Sequence, residues 1–275
     1  MKKKTIPFIV LTIIHGFFLL LAFVKKGNKT FLVLNVSIGI AYIFEYFVLN
    51  VLKMYFYYPK VFKVKWIDSV FGALLSQSLF IPIASTLIVL FKVGWKGRIL
   101  VALIYGVIER LFISWGVFRN FTWSTLLTIT TMPLYFNQVK KWWRDIEQGH
   151  PLKLKVSVFL SYWINYTNIL YFSLALLNKY RFRIGILRDQ YWEHFILVPI
   201  YTLIVGTIGT ISTIYFRNPL KIICLLLLHL LDRFLYKWKL IRPSSNKDLY
   251  LLIPIHASML LLGEYFFRSI KKMAR

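Results

Sequence analysis

Long runs of apolar residues constrain the fold of this chain more than any other feature. The runs are about 20 residues long, the length at which an α-helix crosses the hydrocarbon core of a bilayer. Inside lipid every backbone N–H and C=O group must be satisfied locally, so such runs become helices. A transmembrane β-barrel would show ten-residue segments of alternating polarity instead. The sequence therefore predicts an all-α fold, a polytopic transmembrane helical bundle.

Composition and charge agree with a membrane protein. Hydrophobic residues make up 58% of the 275 residues and charged residues only 16%, whereas a soluble domain carries roughly a quarter. The formal net charge of +25 comes from Lys and Arg that lie mostly between the apolar runs or at the chain ends. Cations at those places meet lipid phosphates. Anionic lipids are thus the expected partner, and no gap is long enough for a basic nucleic-acid-binding module.

The apolar runs predict about nine membrane spans, with eight as the alternative. The weakest is the fifth, which is rich in hydroxyl groups and contains Pro133, so that a kinked span and a re-entrant hairpin both remain open. The first has a basic start but exceeds a signal-peptide core and lacks a small-x-small cleavage site, so we expect a retained span. The predicted runs are 6–24, 31–51, 70–91, 99–117, 121–136, 156–177, 195–215, 222–236 and 249–267.

The gaps between the runs mix basic and aromatic residues. Residues 53–66 and 178–192 place Tyr, Phe and Trp among Lys and Arg. Amphipathic rings and snorkelling cations favour the head-group level, so both gaps are expected to lie along the membrane surface. Residues 139–155 form the one markedly polar stretch and are predicted to link two halves of the chain.

An acid–base dipeptide in the fourth run returns in the eighth. Glu109-Arg110 interrupts an apolar helix far from its ends, and Asp232-Arg233 follows at a spacing of 123 residues (232 − 109). Two further matches within eleven positions share this spacing, which is unlikely by accident. They are Trp115 with Trp238 and Arg119 with Arg242.

The repeat extends to the aromatic gaps. Lys53 and Lys179, and Trp66 and Trp192, match at a spacing of 126 (179 − 53 and 192 − 66), so that a three-residue indel separates the two registers. The predicted organisation is an N-terminal span over 1–30, a first four-span repeat with its linker over 31–155, and a second four-span repeat over 156–275. Because four is an even number, the repeats would be parallel and related by an axis along the membrane normal.

The charged dipeptides are the main candidate functional residues. Ionisable groups within a span are costly, by roughly 2.5–3.5 kcal/mol each, and usually face protein or water. Adjacent helix residues point about 100° apart, so Glu109 and Arg110 cannot pair well with each other. We therefore hypothesise a crossed pairing, Glu109 with Arg233 and Asp232 with Arg110. Such pairs would either fix how the halves dock or line a path for a solute or ion.

Other polar residues in the runs have simpler interpretations. Glu45 is the deepest of the remaining carboxylates and joins the candidate polar site. Asp68 and Glu193-His194 begin spans, where a helix N-terminus favours anions. The lone histidines predict hydrogen bonds between helices more than a metal site or a proton relay; they are His15, His229 and His256.

No signature of an enzyme or cofactor site is present in the sequence. It lacks HExxH, GxSxG, Walker A and GxGxxG motifs, and Cys and His residues do not have metal-ligand spacing. Gly206 and Gly209 in IVGTIGTIS indicate close helix packing instead. We expect a protein that is not an enzyme and that has no cofactor.

The segment YYPKVFKVKWIDSVFG (57–72), and a membrane Glu followed by an aromatic-rich hairpin from Glu109 to Trp123, carry a family resemblance. On them the chain resembles an uncharacterised family of small multi-pass membrane proteins from spore-forming Gram-positive bacteria. The resemblance implies two family units in this chain, the second diverged because Asp232 replaces the Glu and Pro243 stands at the position of Asn120. It also implies a bacterial cell membrane and a setting in sporulation or envelope physiology.

These expectations leave two functions open. One is passage or sensing of a small solute or ion between the two halves. The other is a structural or scaffold membrane protein whose charged pairs only fix packing. A cavity that reaches Glu109, Arg110 or Glu45 would favour the first, and a dry salt bridge the second.

Overall fold

The computed structural model describes residues 3–171, 177, 179–216 and 218–274. Of these described residues 80% are helical, which confirms the all-α class. Five helices among them are long and apolar enough to cross a membrane, and they indicate a membrane protein. The five are Lys3–Lys26, Asn28–Val51, Lys65–Leu90, Gln190–Tyr215 and Lys247–Met273.

The chain divides into two compact units, Met1–Gln148 and Gly149–Arg275. The division falls before residue 156, where the sequence predicted the second half to begin. The predicted run 156–177 includes residues 172–176, and the predicted gap 178–192 includes residue 178. These residues lie outside the described part of the chain.

The first unit contains five long helices and two short strands among its described residues. Two of the helices, α2 and α3, each include six residues of wider π-helical turns, Tyr46–Val51 and Leu75–Phe80. The elements in order are α1 (Ile6–Lys26), α2 (Asn28–Val51), β1 (Tyr55–Tyr57), α3 (Lys65–Leu90), α4 (Trp95–Ser114), β2 (Phe118–Asn120) and α5 (Thr125–Glu147).

The second unit begins with a helix that corresponds in order to α2, and it ends with a helix preceded by a 3₁₀ turn, Asn246–Leu251. The elements of its described part are α6 (Pro151–Ile169), β3 (Tyr180–Phe182), α7 (Gln190–Tyr215), α8 (Asn218–Lys237), β4 (Ile241–Pro243) and α9 (Leu252–Met273). The described residues of the whole chain thus hold nine long helices. Four of them, α4, α5, α6 and α8, are not among the five span candidates.

Each unit contains a pair of three-residue antiparallel strands that the sequence analysis did not predict. In the first unit β1 pairs with β2, with Tyr57 opposite Phe118. In the second unit β3 pairs with β4, with Phe182 opposite Ile241. Aromatic and β-branched residues favour extended backbone because their side chains pack well on a pleated surface. The β1–β2 pair joins the α2–α3 connection to the α4–α5 connection. The β3–β4 pair joins the α6–α7 connection to the α8–α9 connection.

Two local expectations at α5 have clear outcomes. The helix runs without a break through Pro133, so this segment is a helix and not a hairpin. The hydroxyls of Thr130 and Thr131 donate to the carbonyls of Leu126 and Leu127, as expected for threonines inside an apolar helix.

The polar stretch predicted to link the two halves contains the division between the units, but it is helical up to Glu147. Val139, Trp143 and Ile146 are buried at helical spacing, and the charged residues lie on the opposite face. High polarity concealed an amphipathic pattern. The connection between the units is accordingly short, since the next helix begins at Pro151.

Candidate functional site

Glu109 lies in the second half of α4 and is half-buried. Its carboxylate accepts hydrogen bonds from Asn120 Nδ2 (3.1 Å), from Thr125 Oγ1 (2.8 Å) and from Thr128 Oγ1. The three donors stand at the end of β2 and in the first turn of α5. Neutral donors can therefore stabilise a negative charge at this position without a cation.

Trp123 holds one of these donors in place. Its indole Nε1 donates to Thr128 Oγ1 (2.8 Å), so the threonine hydroxyl is free to direct its own proton at Glu109. The indole also meets the rings of Tyr55 and Phe44 edge to face, with centroids 5.7 Å apart in both cases. Packing thus fixes the hydrogen-bond chain from Trp123 to the carboxylate.

Glu45, the last α-helical residue of α2 before its wider turns, is buried, with 7% of its surface exposed. It accepts a hydrogen bond from the hydroxyl of Tyr55 and a second from Gln77 Nε2 (3.0 Å). Its other oxygen, Oε1, is buried without a hydrogen-bond partner among the described residues. Gln77 belongs to the π-helical turns of α3, and such turns are often found at functional sites.

The pair β1–β2 presents aromatic rings between the two carboxylates. The Phe118 ring lies 5.1 Å from that of Tyr55 and 4.7 Å from that of Tyr57. Burial raises the pKa of the Tyr57 hydroxyl, and the neighbouring carboxyl groups of Glu45 and Glu109 add to the shift. Burial likewise raises the pKa of Tyr55, next to Glu45. Both hydroxyls therefore stay protonated and can donate.

A cavity of about 480 Å³ opens beside these groups within the first unit. Glu109 is its one carboxylate, and most of the wall is aromatic or aliphatic. Its polar lining comes from Ser76, Gln77, Thr128, Thr131 and Gln138, and its aromatic lining from Phe44, Tyr55, Tyr57, Phe80, Tyr105, Phe112, Phe118, Trp123 and Tyr135.

Helix α1 closes one side of this cavity. Leu11 lines it, and His15 Nε2 lies 2.8 Å from the hydroxyl of Tyr105, another lining residue. The Tyr105 hydroxyl donates in turn to the carbonyl of Phe80 (2.7 Å). His15 therefore makes the hydrogen bond between helices that the sequence predicted.

In the second unit Asp232 is fully buried on α8. It accepts from the Tyr201 hydroxyl (2.5 Å), and His256 Nε2 lies 2.8 Å from its other oxygen. The other ring nitrogen, His256 Nδ1, lies 3.0 Å from the Tyr166 hydroxyl. The order hydroxyl, imidazole, carboxylate resembles a proton-transfer triad. All three groups are buried.

The arginines of the two dipeptides lie apart from these networks. Arg110 and Arg233 are both exposed, whereas Glu109 is half-buried and Asp232 is fully buried. Each carboxylate has hydrogen-bond donors from its own unit. The crossed pairing of Glu109 with Arg233 and of Asp232 with Arg110 remains a prediction.

Asp68 and Glu193 organise the loops that precede their helices. Asp68 accepts from the backbone N–H groups of residues 60, 61 and 62 at 2.7–3.0 Å. Glu193 Oε1 accepts from those of residues 184, 185 and 186 at 2.6–3.0 Å. Ser69, which follows Asp68, accepts from the N–H of Tyr57, the last residue of β1. His194, which follows Glu193, accepts from the N–H of Phe182, the last residue of β3. These polar residues at helix starts hold loops and are not part of the cavity.

Glycines allow close helix packing around Tyr162 in the second unit. A Cβ atom at Gly209 would lie 2.7 Å from the Tyr162 ring, and one at Gly263 would lie 2.1 Å from it. The Tyr162 hydroxyl hydrogen-bonds to that of Thr213 (2.7 Å). The packing role predicted for Gly209 is therefore confirmed, with Tyr162 as the residue it admits, whereas a Cβ atom at Gly206 would meet Tyr162 Cβ at an ordinary 3.5 Å.

The structure brings together residues that the sequence analysis treated separately. Glu45 and Glu109 approach the same aromatic strand pair, although 64 residues separate them (109 − 45). Residues that were missed are the neutral partners, Tyr55, Gln77 and Thr128 in the first unit and Tyr201 in the second. Within the described residues, no group of three His, Cys, Asp or Glu side chains could hold a metal ion.

Comparison with known proteins gives no further assignment. No protein-family model, no curated protein and no solved structure matches this chain.

Proposed function

We propose that this protein is an integral membrane protein of the bacterial cytoplasmic membrane that binds a small solute, for passage or for sensing. The observation that carries the proposal is the cavity of about 480 Å³ that reaches Glu109 in the first unit. This volume lies within the roughly 300–1,000 Å³ of small-molecule sites. An ionisable residue within a membrane protein usually marks such a site.

The polar groups around the cavity suit reversible binding. Glu109 carries three neutral donors and a charge that no cation in contact offsets among the described residues. A structural carboxylate in an apolar setting is usually matched by a cation, because an unmatched charge is costly. A solute with complementary chemistry would supply that match.

We further propose that the two units are copies of one ancestral unit, and the strand registers support this. Tyr57 and Phe118 face each other in the first pair, and Phe182 and Ile241 in the second. The spacings are 125 (182 − 57) and 123 (241 − 118). The second value equals the spacing between the dipeptides Glu109-Arg110 and Asp232-Arg233.

The loop contacts support the same register. Asp68 and Glu193 perform the same task at a spacing of 125 (193 − 68), and so do Ser69 and His194 (194 − 69). The sequence matches of Lys53 with Lys179 and of Trp66 with Trp192 have a spacing of 126, one residue more than these structural matches. The indel between the two registers is then two residues (125 − 123) and not three.

On this proposal each unit contributes four spans and α1 is the extra one, which gives nine. The support is that nine long helices are present among the described residues, five of which are span candidates by length and composition. Two carboxylates on the other four, Glu109 on α4 and Asp232 on α8, have partners inside their units. A charge that has such partners costs less in a membrane.

A scaffold role suits the second unit better than the first. Asp232 is fully buried between Tyr201 and His256, whereas Glu109 is half-buried and lines the cavity. We propose that the second unit retained the architecture while its carboxylate became a packing group. Solute binding then belongs to the first unit, and the second stabilises the protein.

Thiol labelling in proteoliposomes tests solute access. Cys224 is the single cysteine, so Cys224→Ser gives a background without thiols. In this background Thr131→Cys places a thiol in the cavity wall, and Val139→Cys places one in the buried core of the same helix. We expect a small hydrophilic thiol reagent to modify the cysteine at 131 and to leave that at 139 unmodified. Equal resistance at both positions would contradict the proposal.

The cellular setting rests on the family resemblance alone. We propose a role in sporulation or envelope physiology, with anionic lipids bound at the basic aromatic segments. Lys53 over the Trp66 ring (5.5 Å) and Arg181 over the Tyr191 ring (4.6 Å) are the interface contacts that support the lipid part. Loss of spore yield or envelope integrity in a deletion strain would support the setting, and an unchanged strain would not.

A further inference from the structure

The cavity of the first unit combines aromatic walls with a carboxylate. Among the described residues that line it, Glu109 is the one ionisable acid, and none is Lys, Arg or His. This is unusual in a chain with 35 basic and 10 acidic residues. The absence of cations from the wall leaves the negative charge available to a ligand.

The rings nearest the carboxylate form one continuous cluster. Tyr55, Tyr57 and Phe118 lie within 4.7–5.6 Å of one another, and Trp123 joins them through Tyr55 at 5.7 Å. Aromatic faces attract cations through their quadrupoles, most strongly in the case of Trp, and groups of rings recognise quaternary ammonium ions. We propose that the cavity binds a lipophilic organic cation, with Glu109 as its counter-ion and the rings around Trp123 as its cage.

A second carboxylate lies behind the cage. Glu45 is held by Tyr55 and Gln77, both of which line the cavity, and its Oε1 atom is buried without a partner among the described residues. This adds negative potential at the same end of the cavity when Glu45 is ionised. An anion placed there would be repelled by Glu109.

Three residues that line the cavity are exposed, and two of them are apolar. Leu134 and Phe44 both line the cavity and are 69% and 44% exposed. Phe44 belongs to a span candidate, so that its exposed surface faces lipid when α2 crosses the membrane. A ligand that enters past these residues needs apolar substituents around its charge, which favours a bulky organic cation over a metal ion or an ammonium ion.

This inference rests on the proposed function and names the solute class of the same site. Its test uses two probes of nearly the same size and shape but opposite charge, tetraphenylphosphonium and tetraphenylborate, with the full-length protein in detergent. Binding is measured by titration calorimetry. We expect the phosphonium to bind at one site for each chain and the borate not to bind.

Three variants assign the site. Glu109→Gln keeps the shape and removes the charge, so phosphonium affinity should fall by about tenfold or more. Glu147→Gln changes an exposed carboxylate at the far end of α5, paired with Lys29, and should leave affinity unchanged. Thr131→Phe fills the cavity from α5 and should abolish binding; it keeps Glu109, so it also serves if Glu109→Gln does not fold.

The outcomes separate this inference from the function on which it rests. If the thiol at position 131 is accessible but the phosphonium does not bind, or binds no better than the borate, the cation inference is wrong and a solute of another class is required. Unchanged affinity in both Glu109→Gln and Thr131→Phe would also overturn it, because binding would then be elsewhere. If the thiol at position 131 is inaccessible, the proposed binding of a solute in this cavity is itself contradicted.

Discussion

Gly72 is the position where a single methyl group should disturb the candidate site most. It lies in α3, directly against the strand that carries Tyr55 and Tyr57. A Cβ atom there would lie 2.4 Å from Tyr57 Cβ, 2.9 Å from Tyr57 Cγ and 3.4 Å from Pro59 Cδ. Tyr57 Cβ is bonded to the backbone, so no change of rotamer can relieve the overlap. We predict that Gly72→Ala displaces β1 from α3.

The magnitude follows from the geometry. Carbon atoms at optimal separation are about 3.5–4.0 Å apart, so the strand would have to shift by about 1 Å. Overpacking of this kind costs about 1–3 kcal/mol, against which alanine gains about 0.5–1 kcal/mol over glycine inside a helix. The net loss is about 0–2.5 kcal/mol. For a unit of this size that corresponds to a fall of up to about 10 °C in the unfolding temperature.

The assay is thermal unfolding of the detergent-solubilised protein at one scan rate. Gly16→Ala in α1 is the matched control, because nothing lies within 4 Å of a Cβ atom at that position. We expect the control to unfold at or above the wild-type temperature. Should Gly72→Ala unfold together with Gly16→Ala, the close approach of β1 to α3 would be refuted.

Three further predictions concern the polar residues. Asp68→Ala should destabilise the first unit by more than about 2 kcal/mol, because three backbone N–H groups lose their acceptor; hydrogen exchange at residues 60–62 should rise if this is correct. Tyr201→Phe should cost about 1–3 kcal/mol by removing a donor from buried Asp232, and unchanged thermal unfolding would argue against the network. Glu109→Arg combined with Arg233→Glu should restore expression that either change alone abolishes if the crossed pairs form; continued loss in the double variant would exclude the pairing.

Apolar runs in the sequence were enough to locate the helices. Apolar runs placed all nine long helices of the described chain, because burial in lipid or protein imposes the same composition on a helix over its full length. The amphipathic end of α5 was missed for the opposite reason. Only Val139, Trp143 and Ile146 of that segment are buried, and the many charges around them are typical of a linker.

The candidate site could be predicted only in part. Glu45 and Glu109 are noticeable as charges in apolar surroundings, but their partners are neutral and common. Nothing in the sequence distinguishes Thr128 from the neighbouring Thr130, which bonds to its own helix. The same holds for Glu264, a carboxylate within an apolar run that pairs with Lys221 and Arg268. Contacts between distant segments depend on how the helices pack, and that information is not local.

The strand pairs also determine how a unit could be divided. Each strand of the first unit belongs to a different helical hairpin, so a cut in the turn around Lys92, between α3 and α4, would leave β1 on one fragment and β2 on the other. Each fragment would then carry an exposed strand edge, and the strand that pairs with it would be on the other fragment. Two separately expressed pieces should therefore reassemble into a working unit, with the three-residue pairing of β1 and β2 as the contact that aligns them.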